Sequence, residues 1–316
     1  MQTDSHSANL EIVFMGTAEF AVPSLDRLIQ DGHSVKAVIT APDKPSGRGQ
    51  QVSGSPVKEF AVGKGIALLQ PENLKSEVFL EELRTIPHDL QVVVAFRILP
   101  DMVFEIPKYG AINLHASLLP DYRGAAPINR VIMNGEKETG VTTFIIQKGV
   151  DTGMILDKES TRIGENETAG ELHDRLMLTG AELMSRTVRA FTDESYKAIP
   201  QEDSGNLHSA PKIFNKDCKI DWNLPAKSIH DFIRGLSPYP GAWTILDDKV
   251  LKIYLAGYEI ADHNEPHGTL LSDEKTYLKS AVDGGFVKLF EVKVEGKKRL
   301  KITDFLAGSR IKKFAV

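Results

Sequence analysis

The chain has 316 residues, enough for two domains with substantial cores, and its 41% hydrophobic content is ordinary for a soluble protein. Its single cysteine, Cys218, excludes an internal disulfide and a thiolate metal cluster and fits a reducing compartment. The net charge of −5 divides unevenly, because residues 1–210 are acidic and residues 211–316 carry a modest basic surplus. The first ten residues are polar and no window approaches roughly 18 continuous apolar residues, so neither secretion nor membrane insertion is expected and a cytoplasmic location is.

Residues 10–15 form a short apolar run ending in Gly16, followed by a Pro23-initiated segment to Gln30 that stops at Asp31-Gly32, which predicts a strand, a loop and a helix. Apolar runs at 35–40, 90–95 and 111–115 predict further strands, with helical stretches at 57–63, 76–84 and 127–134 between them. Alternation of this kind predicts a parallel, helix-flanked sheet. Residues 141–147 and 154–159 read as later strands, and 168–191 as a long amphipathic helix opened by a Thr168/Glu171 capping box.

From about residue 192 to 211 the chain turns polar and aperiodic, as a surface linker does. Beyond it come a helical stretch at 226–235, a turn-rich Ser237-Pro238-Tyr239-Pro240-Gly241, and runs at 242–246, 250–256 and 286–294 with period-two character. These predict a small β-barrel. Trp222 and Trp243 read as packing residues rather than base-stacking platforms.

The chemistry concentrates at residues 111–115. In an extended segment side chains alternate faces, so Asn113 and His115 share one face while Ile112 and Leu114 share the other. The run breaks into Ser117-Leu118-Leu119-Pro120 and is answered by Gly149-Val150-Asp151-Thr152-Gly153. Singly, an Asn serves turns, a His is usually a satisfied structural group, and Asp-Thr-Gly is a common turn. Together, at the carboxyl end of a predicted parallel strand, they stand where open α/β sheets bind ligands. An amide, an imidazole and a carboxylate suit attack on an uncharged carbonyl whose oxygen gathers negative charge, which is acyl transfer without a covalent enzyme intermediate.

The segments NLHASLLPDYRGAAPINR and GVDTG resemble the folate-dependent formyltransferase family, which uses 10-formyltetrahydrofolate as donor. The segments IVFMGTAEFAVPSL, APDKPSGRGQ and KIDWNLPA…IRGLSPYPGAW extend the resemblance over nearly the whole chain, toward members whose acceptor is the methionine amine on initiator tRNA. The resemblance implies an α/β fold: a Rossmann-like catalytic domain with a parallel-rich sheet over residues 1–210, and an OB-like tRNA-binding barrel over 211–316. It implies an enzyme of translation initiation; a monomer is expected, and two hydrogen-bond donors suffice to polarise the carbonyl without a metal. Asn113 would polarise the formyl oxygen, His115 would donate a further hydrogen bond or shuttle a proton, and Asp151 would steady the imidazolium. The folate would lie against Phe96, Arg97, Ile98 and Leu99 on one side and Lys148, Gly149 and Val150 on another. Ser117, Leu118, Leu119 and Pro120 would complete that pocket.

Three departures from the simplest patterns stand out. Gly16-Thr17-Ala18 occupies the place of a dinucleotide fingerprint but lacks its second and third glycines, so NAD is not expected. Arg97 follows Phe96 where the family often has Tyr-Gly. Residues 41–50 read as a surface loop that the resemblance turns into a tRNA acceptor-stem reader through Lys44, Gly47 and Arg48, yet Gln50 and Gln51 stand where lysines are common. Two rival readings are an amino-sugar-nucleotide formyltransferase, against which the loop and the tail argue, and a catalytically silent folate- or RNA-binding protein, against which the retained Asn113, His115 and Asp151 argue. Replacing Arg48 by Ala is expected to raise KM for the aminoacylated tRNA while turnover at saturation persists. Steady-state kinetics identical to the parent would remove the loop from tRNA recognition.

Overall fold

In the computed structural model the described residues are 10–46, 51–202 and 205–308. They divide into two compact units, the first within Met1–Gly124, Gly140–Thr161 and Asp174–Ser209, the second within Ala125–Thr139, Arg162–His173 and Ala210–Val316. The second unit therefore draws on short stretches that precede residue 210 as well as on the described residues from 210 onward.

The first unit is built on a seven-stranded sheet of order β5-β2-β1-β6-β7-β8-β9. Its strands are β1 (Glu11–Gly16), β2 (Ser34–Ile39), β5 (Ala67–Leu69), β6 (Leu90–Val94), β7 (Ala111–His115), β8 (Glu138–Ile145) and β9 (Ile155–Arg162). The strands from β5 to β7 pair parallel, joined through α1 (Val22–Gln30), α2 (Pro56–Gly63), α3 (Glu77–Thr85) and the short α4 (Asp101–Phe104). Serine hydroxyls start two of these helices, Ser55 accepting from the Lys58 N–H and Ser76 from the Phe79 N–H. Strand β8 instead runs antiparallel to β7, so the sheet is mixed. Strands β6 and β7 are almost wholly buried, as central strands covered on both faces must be. Gly16 is a packing residue, because a Cβ there would meet the Ala21 Cβ at 2.8 Å and the Phe14 ring at 2.9 Å. In and just after the predicted loop, β3 (Lys44–Ser46) and β4 (Gln51–Ser53) pair antiparallel, which sequence periodicity did not reveal since each is only three residues long.

Helix α6 (Ala169–Thr192) opens as expected, with Glu171 accepting from the Thr168 N–H at 2.8 Å and Thr168 Oγ1 accepting from the Glu171 N–H. In the second unit a six-stranded antiparallel sheet runs β10-β11-β14-β13-β12, with β15 on β14. These are β10 (Ala242–Leu246), β11 (Lys249–Ile260), β12 (Leu270–Ser272), β13 (Leu278–Val282), β14 (Gly285–Val294) and β15 (Leu300–Lys301). Irregularities near Leu255 break the register of the twelve-residue β11 against β14, as bulges do when a long strand bends. A core of Trp222, Ile229, Ile233, Leu251, Ile253, Val287 and Phe305 fills the unit. Trp222 is buried and donates Nε1–H to Thr244 Oγ1, and the half-buried Trp243 donates to the Asn215 carbonyl, so both serve packing.

Helix α7 (Ala226–Gly235) lies against α5 (Pro127–Met133) through Gly235, where a Cβ would meet the Met133 Cγ at 2.7 Å. The same helix buries Asp231, which accepts from Arg234 Nε at 2.7 Å and from Lys227 Nζ at 2.5 Å. Arg234 in turn donates to the carbonyls of Gly164 and Glu167. Burial alone pushes the Asp231 carboxyl up, but His230, Lys227 and Arg234 outweigh it and hold its pKa at about 2, below the usual 3.8. A depressed carboxyl contributes its stability above the unfolded value and loses it as pH falls from 3.8 through about 2, a contribution of about 2 kcal/mol. Asp231→Asn is expected to destabilise the protein by about 3 kcal/mol at neutral pH, because it strands a buried arginine. Denaturant melts should show the gap between parent and variant closing across that acid window; a constant gap would remove the charge pair from the account.

Candidate active site

Strand register places the site before any loop does. Val93 of β6 lies beside Asn113 of β7, which lies beside Phe144 of β8, so three adjacent strands present these side chains to one face. That face is the floor of a cavity of about 260 Å³. Its wall comes from the segment after β6, where Ala95 turns the chain at φ 48° into Phe96, Arg97, Ile98 and Leu99, and from Asp101 and Phe104 of α4. Ile146, Gln147, Lys148, Gly149, Val150 and Asp151 close the other side. The lining mixes aromatic and aliphatic side chains with two carboxamides, two carboxylates and two basic groups, apolar surface with a few polar groups as in a small-molecule site. Among the described residues, no protein group takes up the Asn113 carboxamide.

His115, two residues along the same face, is buried behind the cavity. Its Nε2 lies 2.9 Å from the Tyr122 carbonyl oxygen. A carbonyl only accepts, so Nε2 carries the proton and the lone pair of the neutral ring sits on Nδ1. Nδ1 faces Asp151 Oδ2 at 3.7 Å. That separation is too long for a hydrogen bond but short enough for a strong charge contact once the ring takes a second proton in so buried a place. The Asp151 Oδ2 also accepts from the Gly124 N–H at 2.9 Å, which aims the carboxylate. The amide, the imidazole and the carboxylate thus meet in one place.

The remaining expected residues divide. Phe96, Arg97, Ile98, Leu99, Lys148, Gly149 and Val150 all line the cavity. The Arg97 guanidinium, however, is bound by the carbonyls of Pro71 at 2.9 Å and Glu72 at 3.0 Å and lies over the Phe96 ring, and its burial lowers its pKa. Ser117, Leu118, Leu119 and Pro120 do not line it. They form a turn in which Ser117 and Leu119 are buried: Ser117 Oγ donates to the Asp121 carbonyl, Thr142 Oγ1 donates to the Ser117 carbonyl and accepts from the Leu119 N–H, and Lys158 Nζ caps the Leu119 carbonyl. That turn delivers Tyr122, whose carbonyl holds His115. Lys44 begins β3, while Gly47 and Arg48 lie outside the described residues. Val93, Phe144, Ile146, Asp101 and Phe104 also line the cavity and carry no sequence signal: strand order alone sets Val93 and Phe144 beside Asn113, and tertiary packing brings the other three to the wall.

The formyl transferase family model matches residues 10–188, and the model of the formyl transferase C-terminal domain matches residues 212–310. The chain belongs to the formyl transferase family. It is 51% identical over 310 residues to the methionyl-tRNA formyltransferase of Parabacteroides distasonis, covering 95% of this chain and 96% of that one. It is 46% identical over 311 residues to the methionyl-tRNA formyltransferase of Porphyromonas gingivalis, covering 95% of each. Among solved structures, a sugar 3N-formyl transferase crystallised with dTDP and 5-N-formyl-THF superposes with a TM-score of 0.66 at 24% identity, over 92% of this chain and 99% of that one. HypX from Aquifex aeolicus in complex with tetrahydrofolic acid superposes at 0.65 and 16% identity, over 98% of this chain and 51% of that one. At such identities the likeness is one of fold.

In this family member the segment carrying Asp151 tolerates little change. Gly149 adopts φ 115°, and a Cβ on Gly153 would sit 1.7 Å from the Ile145 carbonyl oxygen. Gly153→Ala is expected to push the Asp151 segment off β8 and cut turnover about 10²-fold while the protein still folds. Circular dichroism beside a turnover assay checks this, and parental turnover would show that the segment relaxes without moving Asp151.

Proposed function

We propose that this chain transfers the formyl group of 10-formyltetrahydrofolate to the α-amine of methionine on initiator tRNA, acting as a monomer in the cytoplasm. The observation that carries the reading is the meeting of an uncommitted Asn113 carboxamide and the Asp151–His115 pair at one cavity, in a chain whose relatives over their full length are methionyl-tRNA formyltransferases. Among the described residues, no helix is long and apolar enough to cross a membrane. Residues 1–210 carry the chemistry and the basic residues 211–316 hold the tRNA, with Lys44, Gly47 and Arg48 at its acceptor end.

The residues fit a folate donor. The floor and walls from Val93, Phe96, Leu99, Phe144 and Ile146 suit a flat heteroaromatic ring, and the backbone of residues 147–150 offers polar groups at its edge. Ser117, Leu118, Leu119 and Pro120 serve the site from behind by holding Tyr122. Bound there, the donor supplies a formyl carbon activated by its folate nitrogen. Asn113 donates to the formyl oxygen as negative charge gathers on it. Asp151, with the His115 Nδ1 lone pair behind it, takes the proton that the attacking amine must lose and returns it to the departing folate nitrogen. Asp151 and the Tyr122 carbonyl together stabilise the imidazolium while it lasts. The bond formed is amine nitrogen to formyl carbon, the bond broken is folate nitrogen to formyl carbon, and the proton count is conserved.

Formyl transfer assayed with purified methionyl initiator tRNA, glycinamide ribonucleotide and an amino sugar nucleotide is expected to give product with the tRNA alone. Asn113→Ala should lower kcat about 10²–10³-fold with tRNA affinity intact, the loss expected of one oxyanion donor. Product from a small-molecule amine instead would overturn the acceptor, and parental kcat in Asn113→Ala would overturn the role of the carboxamide.

A further inference from the structure

Asp151 holds its carboxylate toward His115 from a left-handed backbone, φ 53°. A non-glycine residue pays for that conformation and keeps it only where its surroundings insist. The group that insists is Gln201, fifty positions away in the polar stretch that leaves the first unit. Its Nε2 donates to the Asp151 carbonyl at 2.8 Å and to the Gly153 carbonyl at 2.7 Å. Its Oε1 accepts from Arg123 Nε at 2.9 Å and from Arg123 Nη2 at 2.5 Å. Both N–H groups and both lone pairs of the carboxamide are therefore used.

The place of Arg123 gives this bridge its meaning. Arg123 lies between Tyr122, whose carbonyl accepts from His115 Nε2, and Gly124, whose N–H donates to Asp151 Oδ2. One segment grips the imidazole from the Nε2 side, and the other brings the carboxylate to the Nδ1 side. Gln201 fastens the two segments to each other. No other side chain of similar reach offers two donors to a pair of carbonyls and an acceptor to a guanidinium: glutamate lacks the donors, and methionine has no donor and only a weakly accepting sulfur.

We infer that Gln201 and Arg123 form a positioning pair that sets the Asp151 carboxylate against His115, and so governs turnover without touching either substrate. The inference rests on the reading of Asp151 and His115 as the proton-handling pair. Because the bridge is charge-assisted and partly buried, it is strong enough to hold a left-handed residue in place. Its loss lets Asp151 relax by an ångström or so, the displacement to which such chemistry is most sensitive.

The experiment measures kcat and both KM values in single-turnover and steady-state formyl transfer for the parent, Gln201→Met, Gln201→Glu, Asp151→Asn and the Gln201→Met/Asp151→Asn double variant. Gln201→Met is expected to lower kcat about 10²-fold with both KM values within about twofold of the parent. Gln201→Glu should do the same, because it keeps Arg123 but turns acceptors toward two carbonyls. In the Asp151→Asn background the Gln201→Met step should cost less than about threefold, since what it positions is already lost. Parental kcat in both Gln201 variants beside a crippled Asp151→Asn overturns this inference alone, as does a loss of equal size in both backgrounds. A rise in KM for the tRNA with unchanged kcat overturns it by making the pair a substrate contact. Asp151→Asn turning over like the parent overturns the reading of Asp151, and the positioning role with it.

Discussion

The hydrogen bond between His115 Nε2 and the Tyr122 carbonyl decides which nitrogen of a buried imidazole can take a proton, and much of the first unit is arranged around it. It requires Tyr122 to turn its carbonyl inward, which it does from a left-handed φ of 59°. It requires the turn before it to stay fixed, which the Thr142 hydroxyl, the Ser117 hydroxyl and the Lys158 ammonium secure by occupying its polar groups. With Nε2 committed, Nδ1 faces the Asp151 carboxylate. A carboxylate 3.7 Å away does nothing for a neutral ring and much for a charged one.

The cavity follows from strand order rather than from any loop. Because β8 returns antiparallel to β7, Phe144 comes to rest beside Asn113, and because β6 runs parallel on the other flank, Val93 does too. A single polar residue is thereby set in an apolar floor, where a hydrogen bond to a developing oxyanion counts for more than it would in water. The segments after β6 and β8 then only have to raise walls around it. Arg97 shows how a charged residue is accommodated there: its guanidinium is bound to two main-chain carbonyls and spread over Phe96.

The second unit solves a different problem. Its antiparallel sheet has a core of its own, and helix α7 is fastened by a buried carboxylate that three basic groups hold ionised. Breaking such an arrangement leaves an uncompensated buried charge, so the carboxylate and its basic partners hold the helix as a unit.

Element type and order were legible along the chain because they follow local rules: period-two runs, a serine or threonine cap, a proline at a helix start. Asn113 and His115 were legible as a pair for the same reason, since alternation in one strand puts them on one face. Asp151 was legible only through its motif, and the resemblance carried by NLHASLLPDYRG and GVDTG named the family that the comparisons bear out. What no local rule contains is who sits beside whom. Sheet order placed Val93 and Phe144 against Asn113, and folding carried Gln201 from an aperiodic polar stretch to the back of Asp151. Ser117 to Pro120, which read as a wall of the pocket, lie under it as the support of Tyr122, because the direction a turn faces is set by the strand it packs on and not by its own residues. Residue type and spacing settled which chemistry the chain carries, and long-range pairing alone settled which atoms meet, because hydrogen bonds and register between distant segments leave no periodic trace in either one.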